Sequence, residues 1–404
     1  MSLALFPPIS RLKKYLIFLL IVVIIKIPWV FLMRERGEAV LEGHTKSDLL
    51  ARRKYLIDAI YEAGAGPDDM PWHLSSQFQG EWAVGSYSML TTALTNIAFR
   101  FPETRQESLA VVGYLIKRML EPEVKEFDRS RWGEDPLESL DGPHGHIGYL
   151  GHLNWMLGAY EFLGGQEKFE GLFSRVSTAL ARRMRESPGF CLATYKNEML
   201  YLPDNVVVIA SLANFSRLRE SQHSDVLKGW IAHAQKNLLD PQLRLLPFLL
   251  TPHCAAWKGV RGTGAGWNSF YLPYIDLDFA RDQYAATKDQ LLQRRVVSGL
   301  REYPKGTFGL GDVDSGPAIF GFSPAGTGFL LGGAAHAKDA QLLDALLLTS
   351  EIVGSSYERS GGRRYLLAPL VGDAIMLAMK TAVVWDLRFR EPQQVQAATK
   401  SVER

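Results

Sequence analysis

Charge of one sign is what this sequence most clearly lacks: 45 basic and 43 acidic residues leave a formal +2 over 404 residues. With no basic face or tail there is no electrostatic footprint for a phosphate backbone, so nucleic acid is excluded from the expected partners. Cysteine is nearly missing too. Cys191 and Cys254 give neither a metal-ligand spacing nor a disulfide framework. The expectation is two small buried residues, with pairing in an oxidising compartment as the alternative. The glycine-rich stretch Gly262-Thr-Gly-Ala-Gly266 follows no clear strand, which removes a dinucleotide fingerprint. What is present, 47% hydrophobic and 22% charged residues, belongs to a globular chain with a sizeable core and excludes general disorder.

One long apolar run interrupts that ordinary texture. Residues 15–33, broken only by Lys26, approach the roughly 20 residues that cross a bilayer as a helix. Met33-Arg34-Glu35-Arg36 follows and offers no small-residue cleavage site, so an uncleaved anchor is expected rather than a signal peptide. Arg11, Lys13 and Lys14 precede the run, and Arg34 and Arg36 follow it. That bias puts the N-terminus inside and the rest of the chain on the extracytoplasmic, periplasmic side; a cytoplasmic domain is the alternative. The expected organisation is an N-terminal tail (1–14), a single-pass transmembrane anchor (15–33), a linker (34–48), a helical domain (49–390) and a polar C-terminal tail (391–404).

The helical domain alternates two kinds of segment. Leu49 to Ala63, Gln106 to Leu120, Phe169 to Arg185, Asp225 to Leu239 and Asp339 to Val353 carry apolar residues at three- and four-residue spacing with charge opposite, the pattern of covering helices. Between them lie segments nearly devoid of charge, beginning near Trp82, Gly148, Asp204, Trp267, Ser315 and Gly372 and spaced 48 to 66 residues apart. These read as helices buried on all sides. Six such units without capping repeats predict an all-α (α/α)6 toroid with the apolar segments as its inner helices; an open α-solenoid is the alternative.

A helical barrel binds ligands at the end where its inner helices begin. Those starts are Gln79-Gly-Glu-Trp82, Asp141-Gly-Pro-His-Gly-His146, Leu202-Pro-Asp-Asn205, Gly262 to Asn268, Gly311-Asp-Val-Asp-Ser-Gly-Pro317 and Leu370-Val-Gly-Asp373. Their Asp, Asn, Ser and Gly residues serve either as plain helix caps or as ligand contacts. Asp204 and Asp314 are the expected acid–base pair, one carboxyl holding a proton and the other ionised. Tyr201, Asn205, His146, Trp267, Asn268, Asp312, Trp82 and Asp373 are the expected substrate contacts. Trp82, Trp155, Trp267, Phe270, Tyr271 and Tyr274 would line the barrel as stacking platforms. His144, His146 and His152 form a histidine cluster, but the step from His146 to His152 is no helical ligand spacing, so neither a metal nor another cofactor is expected.

The stretch Tyr149 to Leu163, with its Gly151-His152-Leu153-Asn154, and the triplet Pro203-Asp204-Asn205 resemble the linalool dehydratase/isomerase family. Weaker matches fall at Leu239 to Pro241, Trp267, Asp312 to Gly316 and Asp373. The resemblance implies an α/α barrel and a proton-transfer role for His152. The family's acid–base cysteines flank the Pro-Asp-Asn motif, where this chain has Tyr201 and Ala210, so the resemblance implies the scaffold without the thiol chemistry. The expected function is an enzyme, lyase, isomerase or glycoside-type hydrolase, acting on a small hydroxylated molecule or glycan through Asp204, Asp314 and His152. The alternative is a non-catalytic glycan- or lipid-binding module of the cell envelope.

Overall fold

The computed structural model describes residues 9–387, leaving aside the side chains at 9–12, 16, 18–23, 166 and 167. The expected C-terminal tail and most of the N-terminal one lie outside the described residues. In chain order the α-helices are α1 (Ile9–Met33), α2 (Gly37–Leu41), α3 (Lys46–Leu56), α4 (Ser76–Arg100), α5 (Arg105–Met119), α6 (Pro122–Trp132), α7 (Ile147–Phe162), α8 (Gln166–Glu186), α9 (Leu202–Leu218), α10 (Ser224–His233), α11 (Gly262–Tyr271), α12 (Leu277–Leu291), α13 (Pro324–His336), α14 (Ala340–Gly354) and α15 (Leu370–Lys380).

Helices α4, α7, α9, α11, α13 and α15 each pack on the next, and α15 packs back on α4. The ring is closed, which an open solenoid cannot do. Helices α5, α8, α10, α12 and α14 lie on the inner helices that precede them. The sixth covering helix is α3, which packs on both α15 and α4. The first helix of the barrel therefore completes its last unit. Two boundaries differ from the sequence reading: the fourth charge-poor segment contains α11 and the start of α12, and the fifth inner helix begins at Pro324 rather than Ser315. Charge density did not separate α11 from α12 because the turn between them, Leu272–Tyr274, is itself buried.

The inner helices are apolar on all sides because all sides are covered. Every residue of α7 except Gly148 is buried. Where two inner backbones meet, side chains are dispensed with. A Cβ on Gly266 would sit 2.4 Å from the carbonyl oxygen of Gly326, and one on Gly262 only 2.0 Å from that of Arg301. Gly266 thus lies on a seam between α11 and α13, and Gly262 lets the start of α11 run against the extended segment at Arg301. One end of the barrel is stopped by an aromatic plug, with the Trp155 ring 5.1, 4.8 and 4.5 Å from those of Tyr271, Tyr274 and Trp385. Three of their polar atoms are taken up internally, Trp155 Nε1 donating to Thr92 Oγ1, Trp385 Nε1 to Asn96 Oδ1 and the Tyr274 hydroxyl to the Val383 carbonyl, all at 2.8 Å. Trp155, Phe270, Tyr271 and Tyr274 are fully buried and so belong to the core; Trp82 and Trp267 remain half-buried.

Short antiparallel strands precede the later inner helices. Leu200–Tyr201, Leu249–Leu250 and Ala256–Lys258 form a three-stranded sheet ahead of α9 and α11; Gly311–Asp312 pairs with Gly316–Pro317 ahead of α13; Ser356–Arg359 pairs with Gly362–Tyr365 ahead of α15.

Two expectations need correction. Cys191 and Cys254, expected as unpaired buried residues, form a disulfide with a Cα–Cα distance of 5.7 Å. The covalent bridge brings together residues 63 positions apart, which sequence spacing could not indicate. The transmembrane anchor finds no support: among the described residues, no helix is long and apolar enough to cross a membrane. Much of the expected span, residues 16 and 18–23, lies outside the described side chains. The described half of α1 docks on the barrel: Lys26 Nζ bonds Ser355 Oγ, Trp29 Nε1 donates to the Ser356 carbonyl at 2.9 Å, and Val30 is buried. Lys26 is therefore paired with protein rather than reaching for a headgroup. Residues 34–48, expected as a linker, contain α2 and the first residues of α3.

Candidate active site

Three carboxylates lie within electrostatic reach of one another near the starts of α4, α9 and α13. Glu81 lies in the second turn of α4, Asp204 in the first turn of α9, and Asp314 at the tip of the hairpin leading to α13. Pro203 starts α9 with a φ suited to a first helical turn. Asp204, however, does not cap that helix. Its Oδ2 accepts from Thr194 Oγ1 at 2.6 Å. Burial pushes Asp204 up to about 7; the Thr194 hydrogen bond opposes this, and the charges of Glu81 and Asp314 add to it. Asp314 is raised to about 6, first by burial and then by Asp312 and Glu81, with Arg261 pulling the other way. It remains solvent-accessible at the hairpin tip, where water screens its neighbours' charges. Glu81 is also raised, mainly by burial. Its Oε1 accepts from Gln77 Nε2 at 2.9 Å and from the Tyr195 hydroxyl. Like charges sharing a half-dry site cannot all ionise at neutral pH, and Asp204 is the group that keeps its proton longest.

The surrounding residues orient this trio. Tyr201, half-buried, has its phenol raised by burial and then by the charges of Asp314, Asp204, Glu81 and Asp312. Its ring lies edge-on to Phe248, with centroids 6.1 Å apart. Arg261 stacks 4.2 Å above Phe248 and bonds Glu302 and, at 2.8 Å, Asp312. Asp312 itself accepts from the backbone N–H groups of Asp314 and Ser315, both at 3.1 Å. It shapes the turn that presents Asp314. Trp267 Nε1 donates to the Pro203 carbonyl at 3.1 Å, which holds a half-buried indole beside Asp204. Trp82, also half-buried, follows Glu81 on α4.

Other expected site residues go elsewhere. Asn205 is fully buried: its Oδ1 accepts from Leu192 N at 2.7 Å, and its Nδ2 donates to the carbonyls of Leu192 and Tyr201 at 3.0 and 2.9 Å. All its capacity goes to backbone, so it fixes the segment carrying Thr194 instead of touching a ligand. Asn268 is buried in α11. Asp373 accepts from Tyr365 N at 2.9 Å and has Arg52 and Arg364 as its charged neighbours, apart from the trio. His146 is fully buried against Asp128, its Nδ1 2.5 Å from Oδ2. His152 lies beneath Trp267, ring centroids 6.2 Å apart, with Nδ1 2.9 Å from Ser88 Oγ. Burial lowers it to about 4, so it stays neutral. No contact joins it to Asp204 or Asp314 among the described residues.

Sequence reasoning quoted Glu81 in a helix-start motif without selecting it, and gave no sign of Thr194, Tyr195 or Arg131. Arg131 lies 4.9 Å over the Tyr195 ring and pairs with Glu198. It comes from α6, which stands outside the six-unit repeat, and only the folded ring shows its proximity.

No known protein family matches this sequence. Among solved structures, the chain is similar to the unsaturated glucuronyl hydrolase of Bacillus sp. GL1, described as responsible for the degradation of glycosaminoglycan. The likeness is at 12% identity and TM-score 0.48, covering 74% of this chain and 85% of that one. A likeness of that size carries no argument, and the linalool dehydratase/isomerase resemblance gains no support from it.

Proposed function

We propose that the mouth of the barrel is the active site of an acid–base enzyme acting on a hydroxylated substrate by elimination, isomerisation or glycoside-type hydrolysis. The observation that carries this reading is the division among the three carboxyls. Asp204, whose Oδ2 is engaged by Thr194, presents Oδ1 as a proton donor at neutral pH, while Asp314 is the ionised partner able to take a proton from water or a substrate hydroxyl. Burial keeps the proton on Asp204, and the charge of Glu81, anchored by Tyr195 and Gln77, adds to the effect. Trp82, Trp267 and Tyr201 supply the flat apolar walls that sugar rings stack on. A pure binding module would leave its acids to helix capping; here Asp204 bonds a side chain in a neighbouring loop instead. His152 enters as a neutral support under Trp267 and not as a proton carrier.

The bridge Cys191–Cys254 supports an oxidising, extracytoplasmic compartment, where disulfides persist. The exposed Ile24, Ile25, Ile27, Phe31 and Leu32 of α1 support a membrane association of the N-terminal helix, beside the barrel edge on which it docks.

The test is turnover by the full chain of saturated and unsaturated oligosaccharides and of terpene alcohols, beside Asp204→Asn and Asp314→Asn. Each substitution should lower kcat by on the order of 10²–10⁴-fold with little change in KM. Wild-type turnover by Asp204→Asn on any substrate accepted would refute the assignment.

A further inference from the structure

Next to this mouth lies a second group of side chains that the acid–base reading does not use. We propose that Glu134, His144 and His146 form a binding site for one divalent transition metal of the zinc class. Their donor atoms all lie within 4.8 Å of one another. Glu134 Oε1 is 2.7 Å from His144 Nδ1 and 3.1 Å from His146 Nε2. Three ligands about a tetrahedral ion with bonds near 2.0 Å stand about 3.3 Å apart, so both glutamate–histidine separations lie within about 0.6 Å of that spacing, and the two histidine nitrogens, within 4.8 Å of each other, would adjust to it on binding. Two imidazoles and one carboxylate suit zinc and its neighbours, whereas calcium and magnesium prefer oxygen throughout.

Three further features fit a metal centre. The buried Asp128 holds His146 Nδ1 at 2.5 Å, leaving Nε2 as the coordinating nitrogen, the carboxylate–histidine pairing common behind metal ligands. Asp128 Oδ1 is buried and has no hydrogen-bond partner among the described residues, so this carboxylate is not fully used by its protein surroundings. The indole of Trp132 stands 5.0 Å from the ring of His144 and 4.7 Å from that of His146, forming one wall. Glu134, alone of the three, also lines a surface cleft of about 420 Å³ with Arg129, Ser130, Gly133, Asp135 and Glu138, so the site is open to solvent on that side.

The site also has something to hold. Gly145, one residue before His146, lies so close to the next loop that a Cβ would sit 2.1 Å from the Ala193 carbonyl oxygen. Trp132 Nε1 donates to the Thr194 carbonyl at 3.0 Å. A metal there would brace the loop that positions Thr194.

This inference stands apart from the proposed reaction and is tested without it. The full chain, untagged and stripped with chelator, is titrated with Zn²⁺ by calorimetry, and with Co²⁺ to read the visible absorption of a four-coordinate ion. One equivalent should bind and raise the melting temperature. His144→Ala and Glu134→Gln, both at the solvent edge, should melt like the wild type without metal and bind at least tenfold more weakly. No uptake by the wild type would overturn the proposal, as would unchanged uptake by both variants.

Discussion

The residue on which most depends is Asp204. Its folded-state proton affinity lies above that of an ordinary aspartate, so protonation favours the folded state. Its contribution to stability is therefore fully present below the unfolded value near 3.8 and is lost as pH rises through about 7. Asp204→Asn should remove that part of the decline, and unfolding midpoints measured on both proteins at acid and mildly alkaline pH will show whether it does. Thr194→Val deletes the donor that stabilises the Asp204 carboxylate. The limb of the activity profile that reports Asp204 should move to higher pH by about one unit, because a hydrogen bond to a charged group is worth roughly 1.5–3 kcal/mol and about 1.4 kcal/mol corresponds to one unit. An unshifted limb would mean that Asp204 is not the group reported.

Among the elements, α9 shows how one polar turn serves two purposes. The sequence marked Pro203-Asp204-Asn205 as a helix start, and α9 does begin there. Nothing in the local pattern separates the capping reading of the two polar residues from their real partners, Thr194 and Leu192, which come from a loop ten to thirteen residues upstream. Asn205→Ala would leave the Leu192 N–H and two carbonyls unpaired in the interior. A loss of about 3 kcal/mol is expected from the usual penalty for buried unsatisfied groups, read as a shift in denaturant midpoint. The same variant should lower turnover, since the freed segment carries Thr194. The six-residue step that counted against His146 and His152 as joint ligands agrees with their separate partners, Asp128 for one and Ser88 for the other.

At the scale of the molecule, the ring is closed by charge as well as packing. Asp48 on α3 bonds Arg52, Arg363 and Lys380 at 3.0, 2.9 and 2.8 Å, and Arg52 reaches Glu351 at 3.3 Å. Burial alone would raise Asp48, but the three cations outweigh it and hold the carboxyl well below the usual range. This cluster ties α3, first in the barrel's sequence and last of its covering helices, to the last inner helix α15. Asp48→Asn should cost about 1.5–3 kcal/mol, because it removes a carboxylate shared by three buried cations while Arg52 and Arg363 keep Glu351 and Lys380 keeps Glu35; thermal unfolding of the purified chain measures it. Reducing Cys191–Cys254 releases the loop before α9 from the loop before α11, and should lower stability by about 2–4 kcal/mol. Melting with and without reductant, with Cys191→Ala/Cys254→Ala as control, checks this.

By itself the sequence determined the helical alternation and the end of each inner helix where polar groups collect, because burial on all sides removes charge from a helix and free backbone N–H groups draw polar residues to its start. It also marked Asp204 and Asp314. Ring closure was decided only by tertiary structure, through the contact of α15 with α4 and the use of α3 as the last covering helix. So were the disulfide, the grouping of Glu81 with the two aspartates, and the separation of His144 and His146 from His152. Each depends on which loops meet in space, and local periodicity carries no information on encounters between segments tens of residues apart.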